Sequence, residues 1–153
     1  MKLLSSSAQH RLERAEQRCT IHGSRLTKKR KQVLTVLLLS EKALSAYELL
    51  DLCTAEYEDS MPATSMYRIL EFLEGEELIH RLSLSNKYVA CSHISCENDH
   101  GAAHFLICGK CSRVKEVNIK LSTIADLHEA VTDSGFELVS EQLEMNCQCN
   151  ECR

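Results

Sequence analysis

The sequence predicts an α+β protein: an N-terminal winged helix-turn-helix followed by a small α/β domain. Three observations carry this. Apolar residues recur at helical spacing up to Gly75, two short β-prone runs follow it, and cysteine and histidine are concentrated in the second part. Seven of nine Cys and four of seven His lie at or after Cys91, which places the boundary near residues 88–93 and divides the chain into 1–88 and 89–153.

Leu12 to Cys19 reads as a short helix, and Thr27 precedes a second in which Val33, Val36, Leu37 and Leu38 share a face. Ser45-Ala46-Tyr47-Glu48 is a capping box. Leu44 and Leu49 are spaced to staple it, so a third helix should run from Ser45 to about Tyr57. After Pro62, Met66, Ile69, Leu70 and Leu73 mark a fourth helix that Gly75 ends. Leu78–Leu82 and Lys87–Ala90, joined by Ser83-Leu84-Ser85-Asn86, read as a hairpin.

In a winged helix-turn-helix the last helix enters the major groove and the hairpin touches the neighbouring backbone. The apolar stripe of the fourth helix leaves Ser65, Tyr67, Arg68 and Glu71 on its other faces. Arg68 can reach a guanine edge or a phosphate, and Ser65 and Tyr67 can reach phosphate oxygens. The net charge is −4, yet residues 1–31 hold nine Lys/Arg against two Glu, while residues 92–153 hold five against ten Asp/Glu. A phosphate backbone responds to local charge, so the basic front suits a nucleic-acid partner. A winged helix can equally be a protein-binding module.

In the second part, His104–Ile107 and Arg113–Asn118 read as strands. Leu121–Ser134 reads as a helix with Leu121, Ile124, Ala125, His128 and Val131 on one side, and Phe136–Met145 as a last strand. His128 is expected in the core or at an interface.

The chain opens without the apolar core of a signal peptide, and no apolar run approaches membrane-spanning length, so a soluble cytosolic protein with no membrane partner is expected. In a reducing compartment nine cysteines point to metal rather than disulfides. Cys108-Gly109-Lys110-Cys111 and Cys149-Asn150-Glu151-Cys152 are two Cys-x-x-Cys knuckles, which together complete a tetrahedral thiolate site for zinc. Gly109 is expected to permit the turn of its knuckle. Cys147 competes with Cys149 for the fourth position, and Cys149 is preferred on spacing. Cys19 and Cys53 are expected to be buried thiols.

A second cluster, His80, Cys91, His93, Cys96, His100, His104 and Glu116, gathers near the boundary. A site mixing thiolate, imidazole and carboxylate favours zinc over Fe²⁺ and Mn²⁺. No His-x-Glu with Pro-Cys-x-x-Cys and no His-Glu-x-x-His occurs, so the zinc-deaminase and zincin patterns are missing and no enzyme is expected.

Several motifs carry a resemblance in a fixed order. They are Arg25-Leu26-Thr27 with Arg30, Ser45-Ala46-Tyr47-Glu48-Leu49-Leu50-Asp51, Ser65-Met66-Tyr67-Arg68, Tyr88-Val89-Ala90-Cys91, Phe105-Leu106-Ile107-Cys108-Gly109-Lys110-Cys111 and Val114-Lys115-Glu116. Over about residues 12–152 the chain resembles the ferric uptake regulator superfamily. The Ser-Ala-Tyr-Glu-Leu-Leu-Asp run and Cys91 are similar to its zinc uptake regulator branch.

The resemblance implies a homodimeric, zinc-loaded repressor that binds double-stranded operator DNA and controls zinc-uptake genes, with the second domain serving dimerisation. It implies a structural zinc on Cys108, Cys111, Cys149 and Cys152. A regulatory zinc would use His80, Cys91, a histidine between 93 and 104, and Glu116. His100 fits that histidine's position if one residue is inserted after it; His93 and His104 are the other candidates, and Cys96 could intrude. Arg25 and Tyr47 join Ser65, Tyr67 and Arg68 as DNA-binding candidates. Lys28 and Lys29 stand where the family usually has Pro and Gln, Ser65 replaces a threonine, and the loop from Ser92 to His104 is long. The rival readings are an iron- or peroxide-sensing relative, and a zinc-stabilised interaction or redox module without DNA binding.

Overall fold

In the computed structural model, which describes residues 4–95 and 102–153, three hydroxyl side chains start the first three helices. Ser5, Thr27 and Ser45 accept the backbone N–H groups of Ala8, Arg30 and Glu48, opening α1 (Ser6–Ile21), α2 (Lys28–Leu39) and α3 (Ala46–Tyr57). Helix α1 extends beyond the expected Leu12–Cys19 at both ends. Ser5 caps it early, and Ala8, Leu12, Ala15 and Cys19 form one buried stripe.

The capping box of α3 is complete: Glu48 N–H donates to Ser45 Oγ at 3.2 Å, and Ser45 N–H donates to Glu48 Oε2 at 2.7 Å. Leu44 and Leu49 are both buried, as the staple requires. Helix α4 (Ala63–Gly75) starts after Pro62 and buries Met66, Ile69, Leu70 and Leu73. Strands β1 (Ile79–Leu82) and β2 (Lys87–Ala90) form the antiparallel hairpin, with Ile79 opposite Ala90 and Leu82 opposite Lys87. Asn86 closes its turn in the left-handed region, φ 53°, a conformation asparagine tolerates.

Leu44 and Tyr88 also exchange both backbone hydrogen bonds, at 3.0 and 2.8 Å, so a third short segment lies along β2. Sequence patterning does not reveal this pairing, because one residue has no period.

The chain divides into two compact units, Met1–Glu97 and Asn98–Arg153, later than the 88/89 boundary expected. The reason is local. Cys91 N–H donates to the Leu78 carbonyl at 2.9 Å, and Cys91 and Ile94 belong to the core of the first unit with Leu34, Leu49, Met66 and Leu73.

In the second unit, β3 (His104–Cys108) lies between β4 (Val114–Val117), antiparallel to it, and β5 (Leu143–Cys147), parallel to it. Helix α5 (Leu121–Asp133) links β4 to β5. The last strand begins later than the expected Phe136, because the chain there is committed to ending α5. Gly135 sits at φ 81° and donates to the Thr132 carbonyl at 3.0 Å, while Phe136 N–H donates to the Val131 carbonyl at 3.1 Å. Together these form a Schellman cap. No residue of α5 is buried, so His128 and the apolar face around it are not core within the chain. No helix among the described residues is long and apolar enough to cross a membrane.

Replacing Ser45 by Ala should lower stability by about 1 kcal/mol in denaturant titration; an unchanged midpoint would mean that the box adds nothing. The Ser45 N–H holds the Glu48 carboxyl below its ordinary 4.5. The stabilisation from Glu48 is therefore present above pH 4.5 and lost as pH falls through the lowered value, so the cost of Glu48→Gln should shrink in acid.

Candidate metal centres and nucleic-acid surface

Parallel pairing of β3 with β5 sets up the first centre. Cys108 stands opposite Cys147 at the last position of the register, so both strands end on the same side of the unit. The turn after β3 therefore meets the tail after β5. Sulfur atoms of Cys108, Cys111, Cys149 and Cys152 all lie within 4.8 Å of one another. Cys111 Sγ and Cys149 Sγ are 3.7 Å apart, near the edge of about 3.8 Å that a tetrahedron with zinc–sulfur bonds of about 2.3 Å requires. The donor set thus fits zinc. Cys147 is instead exposed, and it is the Cys149 sulfur that lies within the cluster.

The backbone around the cluster is tied on several sides. Gly109 N–H donates to the Cys147 carbonyl at 3.0 Å, Ser112 N–H to the Cys108 carbonyl at 3.0 Å, and Cys152 N–H to the Cys149 carbonyl at 3.0 Å. Arg113 pairs with Glu151 at 2.9 Å, and Lys110 Nζ donates to the Cys152 carbonyl at 3.1 Å. The residue in the left-handed region is Ser112, at φ 62°, rather than Gly109. The missing side chain of Gly109 has another use: a Cβ there would sit 2.8 Å from Asn146 Oδ1.

The thiols differ electrostatically. N–H groups of Cys149, Cys111 and Lys110 converge on Cys108 and lower its pKa to about 6. Hydrogen bonding to the Cys149 and Cys111 sulfurs, with the Cys108 thiolate beside it, pushes Cys152 up to about 12. Four thiolates at this spacing need a cation among them.

The second candidate set draws on residues of each unit. In the first unit, His80 lies on β1 and Cys91 immediately follows β2, on the same face of the ladder as diagonal neighbours. A His80 ring nitrogen and the Cys91 sulfur lie within 4.8 Å of each other, with Cys91 fully buried and His80 half-buried. This nitrogen–sulfur pair suits one soft divalent ion. His93 N–H donates to Cys91 Sγ at 3.4 Å, so His93 serves the cysteine through its backbone. In the second unit, Glu116 is half-buried on β4 opposite Phe105, and His104 is buried at the start of β3. His100 and Cys96 lie outside the described residues.

Among the DNA-binding candidates, Tyr67 and Arg68 are exposed on the side of α4 away from its buried stripe, and Ser65 is half-buried. Tyr47 is exposed in the first turn of α3, and Arg25 is exposed before α2. Much of the basic front has internal work. Arg30 donates to the Arg25 carbonyl at 2.7 Å and stacks 3.6 Å from the Phe72 ring centroid; Lys31 pairs with Glu16 and Lys29 with Asp59. Cys19 and Cys53 are buried thiols whose pKa values burial raises, Cys53 to about 11.

The Ferric uptake regulator family matches residues 21–146. The zinc uptake regulation protein of Escherichia coli (strain K12) is 34% identical over 148 residues, covering 96% of this chain and 84% of that protein. A solved zinc uptake regulator complexed with zinc and DNA superposes with a TM-score of 0.81 at 30% identity, covering 97% of this chain and 96% of the other. The crystal structure of holo XcZur gives a TM-score of 0.72 at 30% identity, over 92% of this chain and 95% of that one.

Cys108→Ser should remove one tightly held zinc per chain and unfold the second unit, as read by elemental analysis and thermal melting. Cys147→Ser should leave both unchanged. Loss of that zinc in Cys147→Ser, or its retention in Cys108→Ser, would contradict the ligand assignment.

Proposed function

The chain belongs to the ferric uptake regulator family, and from that membership we propose that it is a zinc-responsive transcriptional repressor. It binds operator DNA as a zinc-loaded homodimer and controls zinc-uptake genes. The observation that carries this reading is the buried thiol of Cys91 beside His80, directly after the hairpin of the unit that also presents α4. A sulfur ligand discriminates against Fe²⁺ and Mn²⁺, and the named relatives point to the same metal.

In this reading the chain holds two zinc ions. Cys108, Cys111, Cys149 and Cys152 hold a structural one, closed to further ligands. The ligands proposed for the regulatory one are His80, Cys91, His100 and Glu116. Zinc bound there would link metal availability to DNA binding. A dimer reading successive major grooves must present its two α4 helices roughly 34–36 Å apart. Ligation at the second centre favours that presentation, and without it affinity falls with the population of competent molecules.

Arg68 then reads a base edge or phosphate, Tyr67 and Ser65 bond phosphate oxygens from the same helix, and Arg25 and Tyr47 add contacts from neighbouring segments. The exposed apolar face of α5, with Leu121 87% and Phe136 just beyond it 74% accessible, suits packing against a second copy. The protein acts without catalysis, in the cytoplasm.

Binding to DNA from the gene's own upstream promoter, followed by fluorescence anisotropy, tests this. Zinc should promote binding and a chelator reverse it. Cys91→Ser should remain a dimer that retains one zinc but lose the zinc response, and Arg68→Ala should weaken binding by about 1–3 kcal/mol. A zinc-independent complex, or Fe²⁺ acting as well as zinc at equal free concentration, would overturn the reading.

A further inference from the structure

Past β2 the hairpin keeps one more backbone bond, Cys91 N–H to the Leu78 carbonyl, and α1 supplies donors to the backbone carbonyls around it. Arg11 Nη2 donates to the Cys91 carbonyl at 2.6 Å. Arg18 donates through Nη1 to the Glu77 carbonyl at 3.2 Å and through Nη2 to the Ile94 carbonyl at 3.3 Å. The two arginines are seven residues apart on α1, two helical turns, and so share one side of it. The stripe of Leu12, Ala15 and Cys19 beside them is buried in the core, which fixes the helix from which both reach. They therefore grip the chain on both flanks of the hairpin: Glu77 before β1, and Cys91 with Ile94 after β2.

The consequence falls on the Cys91 sulfur. Its peptide is held through N–H to Leu78, its carbonyl is held by Arg11, and the sulfur accepts the His93 N–H. The turn that carries it is anchored again at Ile94, itself 2% exposed. A ligand held in place before the metal arrives loses little conformational freedom on binding. Residues that orient a metal ligand commonly contribute about 10–100-fold to affinity. A guanidinium can serve two carbonyls at once, as Arg18 does, which an ammonium on a shorter stem does less well.

We propose that Arg11 and Arg18 are positioning residues for the regulatory zinc: helix α1 presets Cys91 as a ligand and thereby sets the zinc concentration at which the protein responds. This rests on the assignment of Cys91 to that site.

The test uses the full chain with its tetrathiolate zinc in place, titrating a second equivalent of Zn²⁺ against a chromophoric chelator and, separately, Co²⁺ while following the sulfur-to-cobalt charge-transfer band. Arg11→Gln should weaken the second zinc about tenfold or more and alter that band, with the first zinc and the far-UV circular dichroism unchanged. Arg11→Lys, which keeps a donor, should recover part of the loss. Wild-type affinity and spectrum in Arg11→Gln would overturn the clamp. Should Arg11→Gln misfold, Arg18→Gln, which leaves the Arg11 contact intact, takes its place: a weakened second zinc supports the clamp, and wild-type affinity and spectrum overturn it. Cys91→Ser separates the layers: second-zinc binding that survives it overturns the site assignment and the clamp together, whereas a silent Arg11→Gln beside a defective Cys91→Ser overturns the clamp alone.

Discussion

Four sulfur atoms within 4.8 Å of one another impose a condition that the second unit is built to meet. Thiolates at that separation repel, and the N–H groups around Cys108 can stabilise only one of them well. A divalent cation satisfies all four. Among its described residues the unit has three short strands, a helix with no buried residue, and a tail that closes on the first knuckle, with only His104, Phe105 and Cys108 buried. Small units of this kind commonly depend on a metal in place of a larger core. The parallel register of β3 and β5 and the room Gly109 leaves for Asn146 both serve that convergence.

The His80 and Cys91 pair is a different kind of centre. His80 lies on a hairpin and Cys91 directly after it, and the hairpin's Leu78, Ile79, Leu82 and Tyr88 are themselves buried. Softness of the sulfur gives selectivity, while the arginines of α1 give order. In the proposed reading, one ion makes the protein and the other informs it.

Sequence makes the chemistry more legible than its supports. The capping box at Ser45, the stripe of α4, the hairpin and both knuckles follow from short, local rules, and each is readable because its partners lie a few residues apart. Arg11 and Arg18 illustrate what is not. Their partners are 80, 59 and 76 residues away and are backbone carbonyls, which carry no sequence signal. A basic front segment therefore reads as a surface for phosphate, although part of that charge serves internal contacts. Pattern alone misplaces the start of the last strand because Phe136 and Val139 have strand-like character, while Gly135 and Phe136 end the preceding helix. The unit boundary moves for a similar reason, Cys91 and Ile94 being claimed by packing rather than by pattern.

In the proposed function one zinc holds structure and a second controls DNA binding. Its most direct measurement records bound zinc per chain and the fraction of protein on operator DNA in the same chelator titration. DNA binding should disappear as the zinc content falls from two to one per chain, while the remaining ion and the folded second unit persist. Retention of DNA binding at one zinc per chain, or loss of both ions in a single step, would contradict it.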